Sequence, residues 1–262
     1  MERYLAKIGD ATLCALEDVG RLGTFLVTCL VAIFKPPLQW FPIIRQIQFI
    51  GARSIFVIVV AGAFTGMVLG LQGYNTLQRF GSVDLLGSAV ALGLIRELGP
   101  VLTALMVIGR AGSAICAEIG IMRTAEQIDA LECMAIDPYK YLMVPKFVAA
   151  VVSLPLLTSI FDVVGIMGGW FAGVVLFGVS EGAYFSGMAK SVVWADVEMG
   201  LIKSIFFGLI IVWLSTAKGF FLHLDRSGAY GAEGVSRITT KAVVASSIAI
   251  LGGDYLIGSL LL

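Results

Sequence analysis

The 262-residue chain is 58% hydrophobic and 14% charged, and its 18 basic and 18 acidic side chains cancel. An average soluble domain is roughly 45–50% apolar and 25% charged, so this composition excludes an ordinary water-soluble enzyme. No nucleic-acid partner is expected. The apolar residues gather in runs of about the 20 residues that cross a bilayer core, which points to an all-α integral membrane protein.

The N-terminal stretch up to Phe34 differs from the rest. Its apolar run, Leu22–Phe34, ends at Lys35-Pro36-Pro37 and is too short to span. Leu5, Ile8, Leu16 and Val19 recur at helical spacing among Arg3, Lys7, Asp10, Glu17 and Asp18. This pattern predicts an amphipathic helix over 2–34 lying in the membrane interface. The acidic residues and the lack of an A-x-A site argue against a signal peptide. Residues 1–42 are thus read as this helix and its linker, and 43–262 as the membrane domain.

The first span is predicted around Ser54–Tyr74, a run without a single charge. Gly62, Gly66 and Gly70 line one of its faces. Gly165, Gly169 and Gly173 do the same in the third run, and such stripes let helices approach closely. They suit packing within the chain or an interface between subunits.

The second run, Leu85–Gly109, contains Arg96 and Glu97. Counted from Asp84 at ~1.5 Å per residue, Arg96 lies ~18 Å in, near the middle of a ~30 Å core. A charge there costs at least ~2.5–3.5 kcal/mol. Pro100 has no N–H, so the Arg96 carbonyl loses its helical donor at the same level. Adjacent residues on a helix do not face each other, so Arg96 and Glu97 need different partners.

Between the second and third spans runs "RTAEQIDALECMAIDP", Arg123–Pro138. Thr124 and Gln127 have capping-box spacing, Glu126 falls in the first turn where the dipole favours it, and Asp137-Pro138 is read as the stop. Ile128 and Leu131 face one way, and Glu126, Asp129 and Glu132 form an acidic side. The reading is a short amphipathic helix over 124–136 outside the membrane, either a connector or a docking surface.

Phe147–Val179 carries no charge but Asp162 and is read as one long span bent near Pro155 rather than a hairpin. Met199–Ala217 is the fourth span, with Lys203 near its start, and Ala242–Leu262 the fifth, with Asp254. The glycine-rich "RSGAYGAEGVSR" between them lacks the lysine of a P-loop and is read as a flexible turn.

Five spans put the termini on opposite sides. With the N-terminus inside, only Arg79, Lys190 and Lys203 of the 18 basic residues fall outside and Arg96 lies at mid-depth, which is the positive-inside pattern. The expected topology is N-terminus in, C-terminus out. The four cysteines avoid the outer face, so no disulfide is expected, and without C-x-x-C spacing and with one histidine, His223, a metal site is not expected either.

Four stretches closely resemble the MlaE permease family: "GMVLGLQGY" (66–74), "LIRELGPVLTALMVIGRAGSAICAEIG" (94–120), "MRTAEQIDALECMAIDP" (122–138) and "GVSRITTKAVV" (234–244). The resemblance runs from about residue 40 to the end. It implies a permease subunit of an ABC transporter that moves phospholipids between the inner and outer membranes of bacteria. It further implies a homodimer with lipid held at its interface, a separate cytoplasmic ATPase that binds the ATP, a small STAS-domain protein, and an MCE-domain lipid-binding hexamer outside. No cofactor belongs to this chain. The implied cavity residues are Leu69 and Leu77 with Arg96, Glu97 and Leu98. The implied coupling residues are Glu118, Arg123, Glu126, Gln127, Asp129 and Glu132. At Arg96 and Glu97 two roles stay open: contact with a lipid head group, or pinning of the dimer. The alternative function is an ion-coupled secondary transporter using Arg96, Glu97, Asp162 and Asp254.

Overall fold

A computed structural model describes residues 2–35, 40–224 and 231–261, with side chains in the first helix described at Leu13 and from Leu16 onward. All regular structure among them is helical. In chain order the helices are α1 (Glu2–Ile33), α2 (Trp40–Ile50), α3 (Ile55–Arg79), α4 (Leu86–Gly93), α5 (Gly99–Val107), α6 (Ser113–Thr124), α7 (Gln127–Cys133), α8 (Val144–Trp170), α9 (Glu181–Ser191), α10 (Trp194–Phe220) and α11 (Gly231–Leu261). Five helical stretches are long and apolar enough to cross a membrane: Trp40–Arg79, Val83–Thr124, Tyr139–Leu176, Trp194–Phe220 and Gly231–Leu260. The chain is a multi-pass membrane protein.

The second stretch is not a uniform α-helix. α4, α5 and α6 are joined by π-helical segments at Leu94–Leu98 and Ile108–Gly112. The first lies immediately before Pro100, where a missing N–H disturbs the i→i−4 ladder. The Gly99 N–H reaches back to the Leu94 carbonyl, a π-type bond. The third stretch is one continuous passage, as read from the sequence. α8 runs through Pro155, continues as a π segment at Phe171–Leu176, and ends at Gly178 with φ 72°.

The glycine stripes meet inside the chain. Gly62, Gly66 and Gly70 of α3 face Phe161, Gly165 and Gly169 of α8, and a Cβ on Gly66 would overlap the Gly165 carbonyl. Without a hydrophobic drive between helices in lipid, such close backbone contact is what packs them. α9 folds back on α4, where Tyr184 is fully buried beside Gly87 and donates to the Ile166 carbonyl at 3.0 Å. α10 is the central helix, packed against α5, α6, α8 and α11.

α1 docks through one stripe. Phe25, Cys29 and Ala32 are buried, the Phe25 ring meets Tyr139, Phe220 and Phe221, and the Trp213 indole donates to the Leu22 carbonyl at 2.9 Å. Its other side exposes Leu16, Val19, Val27 and Val31.

Three readings of the sequence are corrected. The capping box does not form: Thr124 is the last residue of α6, and its hydroxyl donates to the Ile121 carbonyl at 2.9 Å instead of capping α7. α6 simply runs further than the apolar run suggests, and the break comes at Ala125 and Glu126, the latter at φ 56°. Nor does Asp137-Pro138 end α7. The helix stops at Cys133, Ala135 takes the left-handed conformation at φ 58°, and the Ile136 N–H bonds the Leu131 carbonyl at 3.0 Å, a Schellman pattern. Asp137 accepts from the Tyr139 N–H at 2.9 Å, at the start of the next helical segment. Finally, Lys203, counted with the outer segments, lies within the fourth span and is 0% exposed.

Part of the glycine-rich stretch, 226–230, lies outside the described residues, as do Pro36, Pro37 and Leu262.

Candidate functional site

Arg96 and Glu97 sit in the π segment Leu94–Leu98. Counted from Val83 at helical rise, they lie roughly 20 Å into the second span. They have separate partners on other spans. Arg96 Nη2 lies 2.6 Å from Asp196 Oδ1, and Arg96 Nε donates to the same oxygen at 2.7 Å. Asp196, in the first turn of α10, uses its other oxygen to accept from the Val193 N–H at 2.9 Å. Glu97 Oε2 accepts from Lys203 Nζ at 2.8 Å, and Nζ also lies 2.9 Å from Asp254 Oδ1 on α11, an ion-pair contact without hydrogen-bond alignment.

Lys203 has a further task. Its Nζ donates to the Arg96 carbonyl at 3.0 Å. This is the acceptor that Pro100 deprives of a helical donor. The backbone defect and the buried ammonium therefore satisfy each other, as a non-aqueous setting requires.

The pairs are sealed on one side and open on the other. The side chains of Asp196 and Lys203 are 4% and 0% exposed, whereas those of Arg96 and Glu97 are 39% and 46% exposed. One positive and one negative group are thus each partly exposed, and each is backed by a buried counter-charge. Leu98, the third residue of this predicted set, is half-buried against the core. Leu69 and Leu77 come together elsewhere: with Gln72, Thr76, Ala89 and Val90 they line a pocket of about 300 Å³ between α3 and α4, which does not include Arg96 or Glu97. Asp162 stands apart from the ion pairs. Its carboxyl packs on Gly99, and one oxygen is buried without a partner among the described residues.

The second predicted set gathers around α7. Arg123, in the last turn of α6, reaches Asp129 Oδ1 at 2.7 Å, donates through Nε to His223 Nδ1 at 3.1 Å, and lies 5.4 Å over the Phe220 ring. It ties α7 to the end of α10. Burial, and then the nearby Arg123 charge, hold the His223 imidazole below its ordinary pKa, consistent with a neutral ring accepting at Nδ1. Ile128 is buried while Glu126, Gln127, Asp129 and Glu132 are exposed, the sidedness read from the sequence. Glu118 is separate, paired with the buried Lys146 at 2.8 Å.

Asp196 and Lys203 were not placed at this site from the sequence, and Asp254 was grouped with Arg96 and Glu97 only in the ion-coupled alternative. Lys203 and Asp254 were visible as single charges in apolar runs, which was the available signal. Asp196, at the edge of its run, looks like a solvated helix end.

The family model described as Permease MlaE matches residues 43–260. The chain belongs to the MlaE permease family. The resemblance read from the second span and the segment after it is thereby borne out. Among curated relatives, the chain is 39% identical over 261 residues to the intermembrane phospholipid transport system permease protein MlaE of Haemophilus influenzae, covering 98% of this chain and 97% of that one. It is 42% identical over 253 residues to a probable ABC transporter permease protein of Rickettsia bellii, covering 97% and 95%. It is 33% identical over 227 residues to the protein trigalactosyldiacylglycerol 1, chloroplastic, of Arabidopsis thaliana, covering 87% and 63%. The MlaE match begins at residue 43, just inside α2, so the paired charges, α7 and all five candidate spans except the first residues of α2 fall within it.

Proposed function

We propose that this MlaE-family permease moves phospholipids between the inner and outer membranes of a bacterium and so maintains outer-membrane lipid asymmetry. It sits in the inner membrane with its N-terminus and α7 in the cytoplasm and its C-terminus outside. Two copies pair, with lipid held at their interface. A separate ATPase docks on α7 and binds the ATP, a STAS-domain protein accompanies the ATPase, and an MCE-domain hexamer receives or delivers lipid outside. The relatives' names, which are those of ABC permeases and of a phospholipid transport system, support this reading.

One structural observation carries the lipid role: the exposed halves of two ion pairs whose other halves are buried. Arg96 offers a planar fork suited to a phosphate, and Glu97 offers a counter-charge to a head-group amine. A proton relay is less well supported, because Glu97 and Asp254 already share one lysine and Asp162 lies outside that cluster.

The test exchanges the charges of one pair. Arg96→Asp with Asp196→Arg keeps an ion pair but presents the opposite charge at the surface. The variant permease, reconstituted with its ATPase, should assemble and hydrolyse ATP yet transfer little lipid. Full lipid transfer would show that the pair serves only structure.

A further inference from the structure

A second site lies along α2, near Glu118 of α6 and the start of α8. A cavity of about 530 Å³ is lined by Arg45, Gln46, Gln48, Arg53, Glu118 and Tyr141, among others. Its one carboxylate is already taken, since Glu118 is paired with Lys146 at 2.8 Å. Neither Arg45 nor Arg53 makes an ion pair among the described residues, and the Arg53 guanidinium carbon lies 5.8 Å from the centre of the Phe49 ring. The cavity therefore carries two uncompensated positive charges. It also holds an unmet acceptor: the Gln46 side-chain oxygen is buried without a hydrogen-bond partner among the described residues.

A separate apolar groove of about 810 Å³ borders this cavity at Gln48, which lines both. The groove runs between Ile44, Ile47 and Ile55 on one side and Leu156, Ile160 and Val163 on the other. It follows α8 from Ser153 to Val164, about 16 Å at helical rise, which is close to half of a ~30 Å hydrocarbon core. Its outer wall is exposed: Leu156 is 59% and Val163 63% accessible.

We infer that this cavity and groove seat one anionic glycerophospholipid, its phosphate between Arg45 and Arg53 and its acyl chains along α8. A basic pocket between membrane helices at the cytoplasmic boundary is a recognised setting for acidic head groups. The groove's length and the polar cavity beside it at Gln48 orient the lipid as a member of one leaflet, cytoplasmic in the orientation proposed above. A hydroxyl on the head group would meet the Gln46 oxygen. The site shares no lining residue with the Arg96–Asp196 and Glu97–Lys203 pairs, and it stands whether or not those pairs contact transported lipid.

The test places a photo-crosslinking side chain at Leu156 of the full-length permease, in phosphatidylcholine vesicles with and without phosphatidylglycerol. Adducts are identified by mass. Phosphatidylglycerol should be enriched in the adduct over its share of the vesicle. In Arg45→Gln/Arg53→Gln the enrichment should fall by up to about thirtyfold, the order that two basic groups near an acidic head group supply. Ala52→Trp, which fills the groove and leaves both arginines, should remove the lipid adduct. Enrichment unchanged in the arginine variant, or a persistent adduct in Ala52→Trp, would overturn the site. So would a dominant cross-link to a second permease copy, which would make this face a protein interface.

Discussion

At the scale of single residues, Lys203 is where the mid-span charges converge: one buried ammonium serves Glu97, Asp254 and the Arg96 carbonyl. Removing one partner of a buried ion pair costs roughly 3–5 kcal/mol, whereas neutralising all partners together is often tolerated. Lys203→Met alone should therefore abolish accumulation of folded permease. Combining it with Glu97→Gln and Asp254→Asn should restore much of the yield, measured by size-exclusion of the detergent-extracted protein. His223 gives a pH dependence of defined sign. Its folded pKa lies below the ordinary value, so its contribution is complete above about pH 6.5 and is lost as pH falls toward the folded value. Thermal unfolding of the wild type should weaken more between pH 7.5 and pH 5 than that of His223→Gln, which cannot titrate. Arg96 and Glu97 were legible because charges stand out in an apolar run, and their need for separate partners followed from helix geometry. Asp196 was not, because only the tertiary fold brings a helix-end carboxylate beside an arginine 100 residues away.

At the scale of elements, the long periodic segments were legible and their ends were not. The sidedness of α7 follows from the spacing of Ile128 against Glu126, Asp129 and Glu132. Its boundaries depend on where α6 stops, and that is decided by packing of α6 against α10 and α11 rather than by local capping chemistry. The π segment before Pro100 was half legible. A missing donor is visible in sequence, but the response of the backbone and the lysine that fills the gap are not. Ala135 offers a direct check on the α7 stop. A non-glycine residue in the left-handed region costs about 1–2 kcal/mol, and Ala135 is exposed with φ 58°. Ala135→Gly should raise stability by about 1 kcal/mol, seen as a rise of roughly 2–4 °C in the unfolding midpoint.

At the scale of the whole molecule, the five passages were legible from apolar length alone, because lipid leaves helices few other options. The glycine stripes were legible as packing surfaces, but the sequence left open whether their partner lay in the same chain. The contact of Gly66 with Gly165 answers that for α3 and α8. Gly66→Ala should destabilise by about 1–3 kcal/mol through overpacking. Gly252→Ala on α11, where a Cβ meets nothing within 4 Å, should be neutral or gain up to about 1 kcal/mol from helix propensity. Thermal unfolding of the two variants side by side makes the comparison. Orientation has its own measurement: a cysteine placed at Ala130 should resist a membrane-impermeant thiol reagent applied to cells with an opened outer membrane, and react once the inner membrane is breached. Labelling before that breach would invert the proposed topology.

The distance in sequence between the paired charges also sets a timetable for biosynthesis. Arg96 and Glu97 leave the ribosome 100 and 106 residues before Asp196 and Lys203. At roughly 5–20 residues per second, the second span waits about 5–20 s for its counter-charges. During that interval it is a poorly inserting segment that needs shelter at the insertion machinery, or beside the α8 stretch, which is made in between. A nascent chain halted before Trp194 remains a substrate for membrane quality control, and one extended past Asp254 does not.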